Sequence, residues 1–281
     1  MIRGILPDTC GLESMARCLM VFDWECPIDS SWLDAFEAPF AEFGAVPVEG
    51  TGHLEKRKTH GAYERVRKKF AEFLEDAEEK QDFSVRIRSE ETDPNDGSCP
   101  SDVIVSFGVS SPARKAACVA VRESLVSDPD ELIERVGRTI FDKCGPFYGG
   151  AFDFPAAFGP DAYLASLRAI PKGHKWNSNR DYSARITRWR KSILNRKLRP
   201  SRGYFREIYP INFLLETHLN MPFRDAPLSK FMEVTGALRP FEFNEKMHRW
   251  DVPEKQLKEV REALEPSGLV LSSEAEPLQI N

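Results

Sequence analysis

Between residues 62 and 88 the hydrophobic period changes from that of a helix to that of a strand. No other feature constrains the fold as much. Tyr63, Val66, Phe70, Phe73, Leu74 and Ala77 fall on one stripe of residues 62–80, with Arg65, Lys68, Lys69, Glu72 and Glu75 opposite them. That spacing predicts an amphipathic helix whose apolar stripe must be covered by something else. The next run, FSVRIR (83–88), alternates, with Phe83, Val85 and Ile87 on one face. An alternating run reads as a half-buried strand.

The rest of the chain repeats this mixture. RCLMVFDWE (17–25), VIVSF (103–107), AACVAV (116–121) and FYGGAFDF (147–154) read as strands, the last interrupted by Gly149-Gly150 as at a bulge. Trp32, Leu33, Phe36, Phe40 and Phe43 recur at helical spacing, with Pro39 expected to kink that helix. Residues 127–143 predict a helix capped by Ser127, with Pro129 in its first turn and Gly145 at its end. Residues 211–219 and 228–234 read as short helices, and 238–243 with 247–252 as a hairpin. A final helix opens at Pro253 and runs through Leu264, before a last strand at 269–272. EGTGHLEKRKTHGAY (49–63) reads as a polar loop. The expected fold class is α+β: a mixed, largely antiparallel sheet with helices packed on it. Residues 1–14 are expected to be a loose tail, with Met15 an alternative start. Residues 15–281 are expected to form one unit, with a possible sub-boundary near 171–184.

Composition narrows the function classes. The 281 residues carry a formal net charge of −5, which gives no general attraction to nucleic acid or an anionic membrane surface. The six cysteines form no CxxC pair, and Cys18 and Cys118 sit in apolar runs, as reduced thiols in a cytoplasmic protein would. Pro7, Asp8 and Glu13 interrupt what a signal peptide would need, and the apolar run at 18–22 is too short to span a bilayer.

No nucleotide loop, nucleophile elbow or zinc helix is present. TDPNDG (92–97) resembles a calcium loop in composition, but Val103 stands where a bidentate Glu is required. His53 and His60 lie seven apart among glycines, a poor basis for a metal site. Cys144 precedes Gly145 at a helix end, the wrong pole for an activated thiol. Asp23, Glu25 and Asp153 are carboxylates in apolar settings, whose pairing a sequence cannot reveal. No metal or cofactor is expected.

The strongest local signal is residues 180–206. Ten Arg and Lys residues stand there against the single acid Asp181, a local net charge of +9. Trp176, Tyr182, Trp189, Tyr204 and Phe205 are interleaved or adjacent. Arg in such company suits bidentate pairing and stacking. Three readings follow: a docking face for an acidic protein partner, a nucleic-acid patch, or a solvated face paired with the Glu-rich end of the 62–80 helix. The contact candidates are Arg188, Arg190, Arg196, Arg199 and Arg202, while Trp189 is in phase with the apolar Ile186 and Ile193.

Three stretches of the C-terminal third carry a resemblance: YPINFLLETHL (209–219), LSKFMEVTGALRPF (228–241) and RWDVPEKQLKEVREALEPSGLV (249–270). With YGGAFDF and GPDAY (148–163), they resemble uncharacterised or immunity-like bacterial proteins encoded beside polymorphic or type VI toxins. The resemblance implies a non-enzymatic intracellular protein that binds a cognate toxin, and it carries over no functional residue. A binding protein is therefore expected. The alternative is a hydrolase or nucleic-acid-modifying enzyme using dispersed carboxylates and the basic 180–206 segment.

Overall fold

A computed structural model describes residues 15–24, 26–54, 57–76, 83–90, 101–109, 115–155 and 200–270. Among them, ten strands form one sheet in the order β11-β12-β8-β7-β1-β6-β5-β4-β2-β3. The strands are β1 (Met15–Trp24), β2 (Glu49–Leu54), β3 (Arg57–Ala62), β4 (Phe83–Arg88), β5 (Val103–Val109), β6 (Lys115–Arg122), β7 (Pro146–Pro155), β8 (Ile211–Leu215), β11 (Ala237–Pro240) and β12 (Met247–Asp251). The short pair β9 (Pro222–Phe223) and β10 (Ala226–Pro227) stands apart. Every pairing in the large sheet is antiparallel. With helices packed on both faces, the fold is α+β.

One face is covered by α1 (Ser31–Glu42), α2 (Tyr63–Asp76) and a longer helical rod. The rod is α3 (Pro129–Leu132), a π-turn (Ile133–Gly137) and α4 (Arg138–Cys144). Leu19, Val21, Val105, Phe107, Val119 and Phe213 point from the sheet into this layer. At its heart, Phe36 stacks on Phe107 at 4.5 Å and Trp32 lies 5.0 Å from Trp24. Each such ring pair adds about 0.5–1.5 kcal/mol beyond area burial. Asp23 adopts φ +49°, a left-handed conformation that Asp tolerates, and this shifts the alternation so that Trp24 joins Val21 in the same core.

The other face is covered from β1 to β12 by residues 204–209, α5 (Glu216–Leu219), α6 (Leu228–Thr235) and α7 (Leu257–Leu264). Met20, Phe22, Tyr148, Phe152, Leu214 and Trp250 fill this second core.

Several expectations need correction. Residues 49–62 are a hairpin, not a loop: β2 and β3 pair in register from Glu49↔Ala62 to Leu54↔Arg57. The polar composition misled because one face of the hairpin is polar. Its other face carries glycine at Gly50, where an added Cβ would lie 2.7 Å from Val66 of α2. Residues 211–215 are a strand, and only 216–219 are helical. Four consecutive buried residues there, Ile211 to Leu214, fit a strand buried on both faces and mimic a short helix. Gly149-Gly150 is not a bulge, since β7 keeps unbroken register with β1 and β8 through both. The helix after residue 127 is capped by the Asp128 carboxylate, which accepts from the Glu131 amide at 2.9 Å. Gly145 ends α4 in the left-handed region, as expected. Val270 makes an isolated parallel bridge to Phe205, and residues 271 and 272 of the expected last strand lie outside the described residues.

Candidate functional site

The second face of the sheet changes character midway. A row of paired residues crosses it through Met20, Gly150, Asn212 and Trp250 on β1, β7, β8 and β12. In the other direction the same row continues as Cys118, Ser106, Arg86, Thr51 and His60 on β6, β5, β4, β2 and β3. Its first half is packed under α5 to α7; its second half is polar.

Two constellations occupy this polar half. At the β3 edge, His60 Nδ1 lies 3.0 Å from Glu49 Oε1 and 3.1 Å from Thr51 Oγ1. The Glu49 side chain is 6% exposed while the His60 ring is 58% exposed. Arg88 Nη1 stands 4.0 Å from the other Glu49 oxygen. The carboxylate and the Thr51 hydroxyl both stand at the Nδ1 edge of the ring, and an Nδ1–H tautomer would leave Nε2 as the lone-pair nitrogen. Nearer the centre, Ser106 Oγ and Cys118 Sγ are 3.1 Å apart. The Cys118 thiol is lowered by its hydrogen bond with Cys18, by Ser106 and by the charge of Arg86, against the burial that opposes them. Burial pushes Cys18 well up. Both sulfurs are sealed at 0% and 1% exposure, so a substrate does not reach them in this conformation.

Under the C-terminal helices lies a second polar network, holding the fold. Asn212 Nδ2 donates to Tyr209 O at 2.6 Å and to Trp250 O at 3.3 Å, and Asn212 Oδ1 accepts from the Tyr209 amide at 2.9 Å. Glu207 accepts from Arg261 Nε at 3.0 Å, and Arg261 also donates to Ile208 O at 2.7 Å. The Tyr148 hydroxyl donates to Glu207 O. His218 is fully buried and stacks on Tyr148, with ring centroids 5.7 Å apart. Burial lowers its pKa to about 4, so the ring is neutral.

The sequence candidates distribute unevenly over these features. Arg188, Arg190, Arg196 and Arg199 lie outside the described residues, as do Trp189, Glu25 and the 92–97 loop. Arg202 is described, exposed at the end of a 3₁₀ turn (Pro200–Arg202). Arg206 is not a surface cation: it is 5% exposed, and its guanidinium lies over the Phe22 ring at 4.2 Å. The basic run therefore ends inside the core, which reduces the surface charge below the +9 counted from sequence. Asp153 faces Arg17 at 3.6 Å, and burial raises its pKa. Asp23 serves the backbone kink and accepts from the Lys115 amide at 3.4 Å. Asp153 lies opposite Arg17 near the start of β1 and Asp23 near its end, so these two described candidates do not form an acid/base pair. His53 and His60 share the polar face of the hairpin. No group of three His, Cys, Asp or Glu suited to a metal occurs among the described residues. The Glu49–His60 pair was missed because it appears only once the hairpin register is known. No described helix is long and apolar enough to cross a membrane.

No family model matches the chain, and no curated protein matches it. Among solved structures, the chain resembles the Pseudomonas aeruginosa type VI secretion system (T6SS) protein PA0821, with a TM-score of 0.54 at 10% identity, over 92% of this chain and 73% of that one.

Proposed function

We propose that this chain is a cytoplasmic binding protein of a type VI secretion toxin system, an immunity protein that captures its cognate toxin. The observation that carries this reading is the fold shared with a T6SS protein over most of both chains. The use made of buried charge supports it. Glu207 pairs with Arg261 of α7 and Arg249 with Asp130 of α3, and Arg206 makes a cation–π contact with Phe22 of β1, each a contact between elements. Polar groups spent this way hold a scaffold together, and a binding scaffold needs no more from them.

The docking face is assigned to the basic segment, with Arg188, Arg190, Arg196, Arg199 and Arg202 as its contacts. Arg202 is exposed, while Arg206, four residues on, is buried and anchors the end of the segment. Arg at an interface pairs bidentately with carboxylates, which suits an acidic partner. The test is co-expression with the toxin encoded beside this chain, read by size exclusion and by protection of the host. A stable complex that R188E/R190E/R196E abolishes, with folding unchanged, is the expected result. No complex with the wild-type chain overturns the reading. Binding of DNA or RNA at physiological salt, with a steep salt slope lost in the triple variant, would favour the nucleic-acid alternative instead.

A further inference from the structure

We propose that Cys26 and Cys144 form an oxidisable dithiol, in which Cys26 takes up a low-molecular-weight disulfide and Cys144 resolves the adduct into an intramolecular disulfide. The ladder between β1 and β7 ends at the pair Trp24↔Pro146. Beyond that pair both chains leave the ladder: Cys144 is the last residue of α4 and Gly145 turns in the left-handed region, beside the segment that carries Cys26. A disulfide joins residues whose Cα atoms are about 4.4–6.8 Å apart, so the two cysteines have to be neighbours across this junction. The segment that carries Cys26 is held on the end of α4. Lys143 Nζ lies 3.3 Å from Asp29, donates to the Ser31 hydroxyl and sits 5.8 Å from the Trp32 ring centre. The Cys26 sulfur itself is 3.6 Å from where a Cβ on Gly145 would stand. The sulfur therefore lies within ordinary contact range of residue 145, the next residue after Cys144.

The two thiols differ in access. Cys26 is exposed and Cys144 is buried, and both are free. That asymmetry sets the order of events. The Cys26 thiolate attacks oxidised glutathione, forming a Cys26–glutathione bond and releasing one glutathione thiolate. Cys144 then gives its proton to solvent and attacks the Cys26 sulfur, forming the Cys26–Cys144 bond and expelling the second glutathione thiolate. Two protein thiols are oxidised and one glutathione disulfide is reduced to two thiols. Burial pushes the Cys144 thiol up, and the neighbouring Cys26 raises it further against Lys143, so the resolving step accelerates as pH rises.

The test treats the folded full chain with oxidised glutathione and maps its disulfides by mass spectrometry. The expected product joins the tryptic peptide that begins at Cys144 to the one spanning Cys18 and Cys26. C18S should retain that link and C26S should abolish it. In C144S, Cys26 should hold glutathione as a stable adduct. If C144S does not fold, the wild-type map alone decides. A wild-type chain that keeps glutathione on Cys26 without closing the link, or leaves Cys26 unmodified, overturns the proposal. So does a link that survives in C26S.

Discussion

Replacing Gly150 with alanine tests the packing between the sheet and the C-terminal layer. A Cβ at Gly150 would lie 2.1 Å from Cδ2 of Tyr209 and 2.7 Å from its Cγ. Relief requires moving a ring that has nowhere to go. Tyr209 is 4% exposed and stacks on Phe152 at 4.8 Å with an interplanar angle of 10°. Its amide and carbonyl are both tied to Asn212. Overpacking a rigid core costs about 1–3 kcal/mol, and an approach this close belongs at the upper end. Removing glycine from a strand interior returns about 0.5–1 kcal/mol. The net expectation is a loss of about 2 kcal/mol, read as a lower urea midpoint at unchanged m. G150A/Y209A should show positive coupling, losing less than the two single variants summed, because the clash disappears with the ring. A G150A variant within about 0.5 kcal/mol of wild type, the scatter of neutral surface changes, would refute the close packing of Tyr209 on β7.

Two further perturbations address the buried polar groups of the same layer. His218 has its pKa lowered to about 4, against 6.5 when unfolded, because burial disfavours the cation and the backbone groups of Leu215 and Tyr204 oppose this only in part. Above pH 6.5 both states are neutral and the native advantage is complete. Below it the unfolded chain binds a proton the folded chain refuses, so stability falls as pH drops toward 4, by about 3 kcal/mol in all. His218→Gln should flatten that part of the profile in urea melts at pH 7, 5.5 and 4, and an unchanged slope would count against a neutral buried ring. Arg261 donates to Glu207, whose side chain is 2% exposed. R261M should cost about 3 kcal/mol by leaving the buried carboxylate without its guanidinium, and R261M/E207Q should recover at least half of that. A double-variant loss equal to the sum of the R261M and E207Q losses would show that the pair is not coupled.

Much of the fold was legible because local period and burial agree. Phe83, Val85 and Ile87 alternate into the core as the pattern requires, and the α2 stripe of Tyr63, Val66, Phe70 and Leu74 is buried on the sheet. Reading failed where one residue must satisfy two neighbours. Ile211 and Phe213 face α4 while Asn212 and Leu214 face the C-terminal helices, so the run has no alternation to detect. Gly149 and Gly150 look like a break, yet they are there because Met20 O and the Tyr209 ring lie where their side chains would be. A sequence shows the missing side chain and cannot show what stands in its place.

The sites were less legible than the fold, for a reason visible in single residues. Charge can be counted along a chain, but its placement depends on long-range packing. Arg202 and Arg206 stand four apart in the same basic run, and one is exposed while the other covers Phe22. Glu49 and His60 are eleven apart and look unrelated until β2 and β3 pair, when each lands on the polar face of the hairpin. Cys26 and Cys144 are more distant still, and they become neighbours only where the end of α4 meets the segment after β1. In the last two cases the chemistry belongs to a pair, and the pair is made by long-range packing rather than by spacing along the chain. In an antiparallel sheet this large, every ladder brings residues from distant parts of the sequence side by side. Motif reading, which works within one segment, therefore reaches the helices and strands and stops short of the sites between them.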